Sequence, residues 1–260
     1  NSTSDLAVMS RPYAEALRAC VNRFGIDNPF RLSPIALLDI VDKREKLAAG
    51  DLSGFTDKVA IIIAPDGDSN GAFKSFNLIT EKAMSDGVSV LYFQVGSCSD
   101  AIQNGNEVKK LLSRGVDYLF VGGHGRKITG SVGAGLVFSY SSIRDRAEAN
   151  RDFASLGDLE LNGKWSDQNK FQGLVSLVRP GGDLAFISCY SGEDEQKGNN
   201  LVRAMAMTAS KQGTRLKVIG STTATNVKSV EFAESGLEVI YWEGKTFELN
   251  SAPLPKKHKM

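Results

Sequence analysis

A chain of 260 residues, 42% hydrophobic and 23% charged, is long enough for one large core with a small helical appendage. Lys plus Arg number 31 against 30 Asp plus Glu, which excludes a global field that recruits nucleic acid or an anionic membrane surface. Three widely spaced cysteines, Cys20, Cys98 and Cys189, form no C-x-x-C pair and suit free thiols in a reducing compartment rather than a disulfide framework or a zinc cage.

The chain begins Asn1-Ser2-Thr3-Ser4, without a signal-peptide core and without Met at position 1, the start expected of a processed fragment that has lost a targeting segment. No apolar stretch reaches the roughly 18 residues of a membrane span, so no membrane insertion is expected. Residues 11 to 24 place apolar side chains at helical spacing and stop at Gly25. A second helix is expected after Ser33, with Pro34 in its first turn, running to Gly50. These two make an N-terminal helical segment over residues 1–55, ahead of a main domain over 56–260.

From Lys58 the pattern alternates. Strands are expected at Val59 to Ala64, Val88 to Val95, Tyr118 to Val121, Leu184 to Ser188 and Leu216 to Gly220, with helices at about 72 to 86, 100 to 114, 167 to 179 and 197 to 212. Such alternation predicts an α/β fold, a mostly parallel sheet with right-handed crossovers and helices on both faces: a three-layer α/β/α sandwich. Gly236 to Trp242 is expected as an edge strand, followed by a polar tail. Residues 126 to 166, rich in Gly and Ser and then charged from Arg144 to Asp152, read as a long irregular excursion, either a binding loop or a solvated insertion.

Two apolar runs end in reactive residues. Asp117-Tyr-Leu-Phe-Val-Gly-Gly-His124-Gly125 delivers a histidine, and Asp183-Leu-Ala-Phe-Ile-Ser-Cys189-Tyr-Ser-Gly192 delivers a cysteine. Open α/β sheets bind ligands beyond the carboxyl ends of their strands, so the two side chains are placed to meet there as base and nucleophile. A thiol with an ordinary pKa near 8.5 needs such a base, and the only other histidine, His258, lies in the tail. The backbone N–H groups of Gly125 and Cys189 are candidates for an oxyanion hole. Either residue alone would ordinarily be structural, a small buried thiol or a hydrogen-bonded imidazole; the pair with its Gly flanks favours catalysis. Cys98, just before a helix, is a minor nucleophile candidate, and Cys20 reads as core.

The order apolar strand, His-Gly, long spacer, apolar strand, Ser-Cys resembles the caspase-like cysteine peptidases of clan CD. Ser188-Cys189-Tyr190-Ser191-Gly192 is similar to the Ser-Cys-x-Ser-Gly of metacaspases, and Val121-Gly-Gly-His124-Gly125-Arg126 to the histidine block of toxin self-processing domains; clostripains belong to the same clan. The likeness covers about Lys58 to Trp242. It implies a cysteine endopeptidase with a His124–Cys189 dyad and no obligatory third residue, Gly125 as an oxyanion donor, and a substrate pocket bordered by Asp66 to Asn70 (Asp66, Asp68, Asn70) and by Ser221 to Asn226 (Ser221, Thr222, Thr223 first).

Members that cut after Arg or Lys commonly carry an acid two residues before the nucleophile. Here it is Ile187, so either Asp66, Asp68, Glu193 or Asp194 replaces that charge or the preferred residue is small or apolar. Activation by self-cleavage within 126 to 166 or near residue 55 fits the resemblance. The alternatives are a catalytically silent caspase-like module that binds a protein partner, and a non-peptidase cysteine hydrolase.

The expected partner is a protein or peptide substrate and not nucleic acid, with the oligomeric state open. The expected place of action is the cytoplasm, or a host cytosol reached as part of a secreted effector or toxin. No cofactor is expected. Asp66-Gly-Asp-Ser-Asn-Gly71 resembles a calcium loop but has Asn77 where the bidentate Glu belongs. Gly130 to Gly135 lacks the Lys-Ser/Thr of a phosphate loop. The resemblance to toxin self-processing domains makes Arg126 and Lys127 candidates to receive an anionic activator such as an inositol phosphate, with a solvated loop as the simpler reading of the two charges.

Overall fold

The computed structural model describes residues 2–66, 73–127, 133–138, 159–162, 165–193 and 200–252. Its centre is a six-stranded sheet in the order β12-β9-β8-β3-β1-β2. These strands are β1 (Lys58–Pro65), β2 (Val88–Val95), β3 (Val116–Gly122), β8 (Val178–Ile187), β9 (Leu216–Ser221) and β12 (Thr246–Asn250). All neighbours run parallel except β12, which is antiparallel to β9. The parallel strands are continuous apolar runs because both faces are covered.

The period of two along each strand sorts the side chains between the faces. Val59, Ile61 and Ile63 of β1, Leu119 and Val121 of β3, and Leu184 and Phe186 of β8 join one core; Ala60 and Ile62, Tyr118 and Phe120, Ala185 and Ile187 join the other. The first core is closed by α4 (Cys98–Leu111), α5 (Gln168–Leu177) and α6 (Leu201–Lys211), through Val108, Phe171 and Met205 among others. The second is closed by α1 (Ser2–Arg23), α2 (Pro34–Ala48) and α3 (Ser75–Ser85), through Cys20, Ile40 and Phe76. Each fully buried Ile, Leu or Phe contributes about 1.5–3 kcal/mol, so the two cores dominate the stability. The result is the three-layer α/β/α sandwich expected from the alternation. The N-terminal helices are part of its second layer: Ser33 caps α2, accepting from the Ala36 N–H at 3.4 Å, and Pro34 stands in the first turn.

Three elements differ from the sequence expectation. Gly236–Tyr241 (β11) is not a sheet edge; it pairs with Val227–Ala233 (β10) in a separate antiparallel hairpin whose Val227, Val230, Leu237 and Val239 enter the second core. The edge is β12, within what reads in sequence as polar tail. The excursion after β3 is more regular than expected: β4 (His124–Lys127), β5 (Gly133–Val137), β6 (Leu159–Asn162) and β7 (Trp165–Ser166) form a four-stranded antiparallel sheet. Leu136, Phe138 and Leu159 anchor it to the first core. Among the described residues no helix is long and apolar enough to cross a membrane.

Candidate active site

The histidine is placed by a sharp departure from the main sheet. Strand β3 ends at Gly122, where a Cβ would stand 2.2 Å from the Phe76 ring and 3.0 Å from the Ile63 carbonyl oxygen, so only glycine lets α3 pack so closely. The Gly123 N–H reaches the Ile187 carbonyl at 3.4 Å, tying the ends of β3 and β8 together. His124 then opens β4, half-buried, with the Phe73 ring edge-on at 5.0 Å between centroids.

The cysteine is placed by a pinned turn. After β8, Tyr190 adopts φ +55°, a left-handed conformation rare for a residue with a Cβ. Hydrogen bonds hold the turn on β9 and the segment after it: the Tyr190 N–H donates to the Thr223 carbonyl (3.1 Å) and the Gly192 N–H to the Ser221 carbonyl (2.9 Å). Ser191 Oγ donates to the Ser188 carbonyl at 3.2 Å and accepts from the Ser221 N–H at 3.1 Å. A Cβ on Gly192 would stand 2.6 Å from that of Phe247. The Ser-Gly of the motif thus locks the Cys189 turn to its neighbouring strand.

These two placements converge. A Cβ at Gly125 would lie 1.8 Å from the Cys189 carbonyl oxygen and 2.9 Å from its nitrogen, so the two backbones are in direct contact. His124 and Cys189 line one small cavity of about 50 Å³, with Ile187, Tyr241 and Phe73 among its walls. Burial pushes the Cys189 thiol above its ordinary pKa; N–H donation to the sulfur from the Thr225 backbone, and from Cys189 itself, acts in the opposite direction. Cys189 is half-buried, whereas Cys20 and Cys98 are both fully buried. Ser188 Oγ, also at the cavity, and Thr223 Oγ1 are buried without a hydrogen-bond partner among the described residues.

No family model, curated protein or solved structure matches this chain. The geometry therefore stands by itself.

Of the pocket residues expected from the sequence, Ile187 lines the cavity. Ser221 is buried behind the Cys189 turn, its Oγ donating to the Thr223 carbonyl at 3.0 Å, and Thr222 Oγ1 accepts from the Lys245 N–H at 3.0 Å. Within the expected Ser221 to Asn226 border, it is Thr225 and Asn226 that form the cavity wall. Asp66 is turned toward β2, where its carboxylate accepts from Gln94 Nε2 at 3.2 Å, and burial holds its pKa above the usual carboxylate value. Asp68, Asn70 and Asp194 lie outside the described residues, as does most of the calcium-like run. Glu193 ends the turn, its carbonyl accepting from Asn200 Nδ2 at 2.9 Å.

Sequence reasoning missed Phe73, Tyr241 and Val227 in the cavity wall. For Tyr241 a signal existed: the alternation Leu237, Val239, Tyr241 marks a buried face. Phe73 carries no distinguishing pattern. Arg126 and Lys127 belong to β4. Among the described residues no group of three or more His, Cys, Asp or Glu is gathered that could hold a metal ion.

Proposed function

We propose that this chain is a cysteine endopeptidase of the caspase-like kind, with His124 as base and Cys189 as nucleophile. The observation that carries the reading is the backbone contact between Gly125 and Cys189, beside which His124 and Cys189 line one cavity. The thiol proton passes to His124 as Sγ attacks the scissile carbonyl carbon. The N–H groups of Gly125 and Cys189 receive the oxyanion, and the Thr225 backbone, which acts to lower the thiol pKa, favours the thiolate. The C–N bond then breaks, the amine leaves with the proton from His124, and water deprotonated by His124 hydrolyses the thioester to the acid and the free thiol.

In this reading Ile187 lines the pocket for the residue preceding the cut, with Thr225 and Asn226 beside it and the Ser221–Thr223 segment behind the nucleophile. Self-cleavage in 126–166 or near residue 55 is the proposed activation step.

The test is cleavage of a diverse peptide library by the wild-type chain and Cys189→Ala, read by mass spectrometry together with intact mass. Cuts that vanish in the variant support the reading. Cuts that persist in it would exclude Cys189 as nucleophile, and absence of any cut would favour a silent binding module. Turnover of small amides without peptide cleavage would indicate a non-peptidase hydrolase.

A further inference from the structure

At the β2 edge of the sheet a separate cavity of about 450 Å³ opens between the ends of α1 and α2, strand β2 and α4. Its size falls within the range of small-molecule sites, roughly 300–1,000 Å³. The walls combine two chemistries: the rings of Phe24 and Phe93, and the cations Arg23, Arg44 and Lys110, against Glu107 as the one carboxylate-bearing residue in the lining.

The cations are not equivalent. Arg23 is paired with Glu45 at 2.8 Å and Lys110 with Glu107 at 2.6 Å, both at exposed positions. Arg44 is half-buried, its guanidinium carbon 4.9 Å from the Phe24 ring centre and 4.3 Å from that of Phe93. Its Nη1 donates to the Tyr92 carbonyl at 2.8 Å, and no carboxylate among the described residues pairs with it. A guanidinium has five N–H donors, so most of this fork is uncommitted to a protein acceptor. Burial lowers the Arg44 pKa to about 10, which marks a desolvated charge lacking a counter-ion.

We propose that this cavity binds a small organic anion, a carboxylate on an apolar body, with Arg44 receiving the carboxylate and the partly exposed Phe24, Leu47 and Leu111 receiving the apolar part, while the buried Phe93 backs the guanidinium. A planar carboxylate matches the fork of the guanidinium, and this apolar lining favours an apolar body over a fully hydrated inorganic ion. The site is independent of the cavity at Cys189.

Calorimetric titration of the full chain with 3-phenylpropionate, its neutral amide 3-phenylpropanamide, and inorganic phosphate tests this directly. The expected result is saturable binding of the acid, about tenfold or more weaker binding of the amide and of phosphate, and a similar loss in Arg44→Gln. Because Arg44 also holds the Tyr92 carbonyl, the fold of that variant is checked by circular dichroism. Lys110→Glu, on the exposed rim, supplies a second variant, expected to weaken the acid at low salt. Equal binding of acid and amide, phosphate binding as tight as the acid, no saturable binding of the acid, or full affinity in Lys110→Glu and in folded Arg44→Gln would each overturn the proposal.

Discussion

Gly125 and Cys189 touch backbone to backbone, so closely that one methyl group on Gly125 would stand 1.8 Å from the Cys189 carbonyl oxygen. The contact couples the strand that carries the histidine to the turn that carries the thiol. Gly125→Ala must therefore separate them. The expected cost is about 1–3 kcal/mol of stability from overpacking, measured by urea denaturation. In the same variant peptide turnover should fall about 100-fold or more, as for a displaced oxyanion donor. Wild-type turnover in Gly125→Ala would sink the assignment of this contact to the active site.

The thiol has a pH signature. Burial raises the Cys189 pKa, so the neutral thiol persists to higher pH than in a free cysteine. Without a base, alkylation of Cys189 by iodoacetamide should be slow at neutral pH and climb as pH rises past the ordinary thiol range. That is the profile expected of His124→Ala. Wild type should show an added reactive limb at lower pH, where His124 accepts the proton. Peptide mapping distinguishes the thiols, since Cys20 and Cys98 are fully buried. Superimposable profiles for the two proteins would remove His124 from the role of base.

Tyr190 holds φ +55° immediately after Cys189. An Asn tolerates this conformation and a β-branched residue does not. Tyr190→Asn should leave stability within about 0.5 kcal/mol of wild type, whereas Tyr190→Val should cost about 1–2 kcal/mol. Thermal melts of the two variants give the comparison; equal losses would mean that side-chain packing, not backbone conformation, sets the residue.

How much was legible in the sequence depended on what each element presents to its neighbours. Strand β1 reads directly as a buried parallel strand because Val59 to Ala64 is apolar on both faces. The hairpin strand Gly236–Tyr241 was recognisable as a strand, but its alternation states only that one face is buried, not which strand lies beside it. The edge strand β12, Thr246-Phe-Glu-Leu-Asn250, does alternate with Phe247 and Leu249 on one face, but five residues with only partial burial do not stand out from a polar tail. The short strands β4 to β7 offer too few residues for a period to emerge. At the site, His124 and Cys189 announce themselves by residue type and flanking glycines. The lowering effect of Thr225 on the thiol pKa comes from its backbone, which no side-chain pattern encodes.

Tyr241 links the hairpin to the strand that carries the nucleophile. Its hydroxyl, buried in the cavity wall, donates to the Phe186 carbonyl at 2.7 Å, three residues before Cys189. Burial also pushes the phenol well above its ordinary pKa, so the proton is retained and the bond persists through the alkaline range. Tyr241→Phe should cost about 1–3 kcal/mol, since the carbonyl acceptor stays buried. It should also reduce peptide turnover by loosening Ile187 and Cys189. Urea denaturation and cleavage assays on the one variant read both effects, and full activity despite the stability loss would show that the hairpin braces the fold without positioning the nucleophile.

At the other end of the sheet, Asp117 stabilises the fold without approaching the reaction. Its buried carboxylate accepts from the Val59 N–H at 2.9 Å and from Arg179, with Arg114 at 3.4 Å, so β1 and β3 and the start of β8 are joined at one residue. Asp117→Ala leaves the Val59 N–H without its acceptor and Arg179 without its counter-charge. Arg179 is itself a third exposed, so the main loss is the unsatisfied Val59 N–H, about 1–3 kcal/mol. The variant should therefore melt below wild type, while below its melting point the rate of Cys189 alkylation stays near the wild-type value. A selective loss of Cys189 reactivity with unchanged melting would mean that this clamp is tied to the site at the opposite strand ends, contrary to the separation argued from the fold.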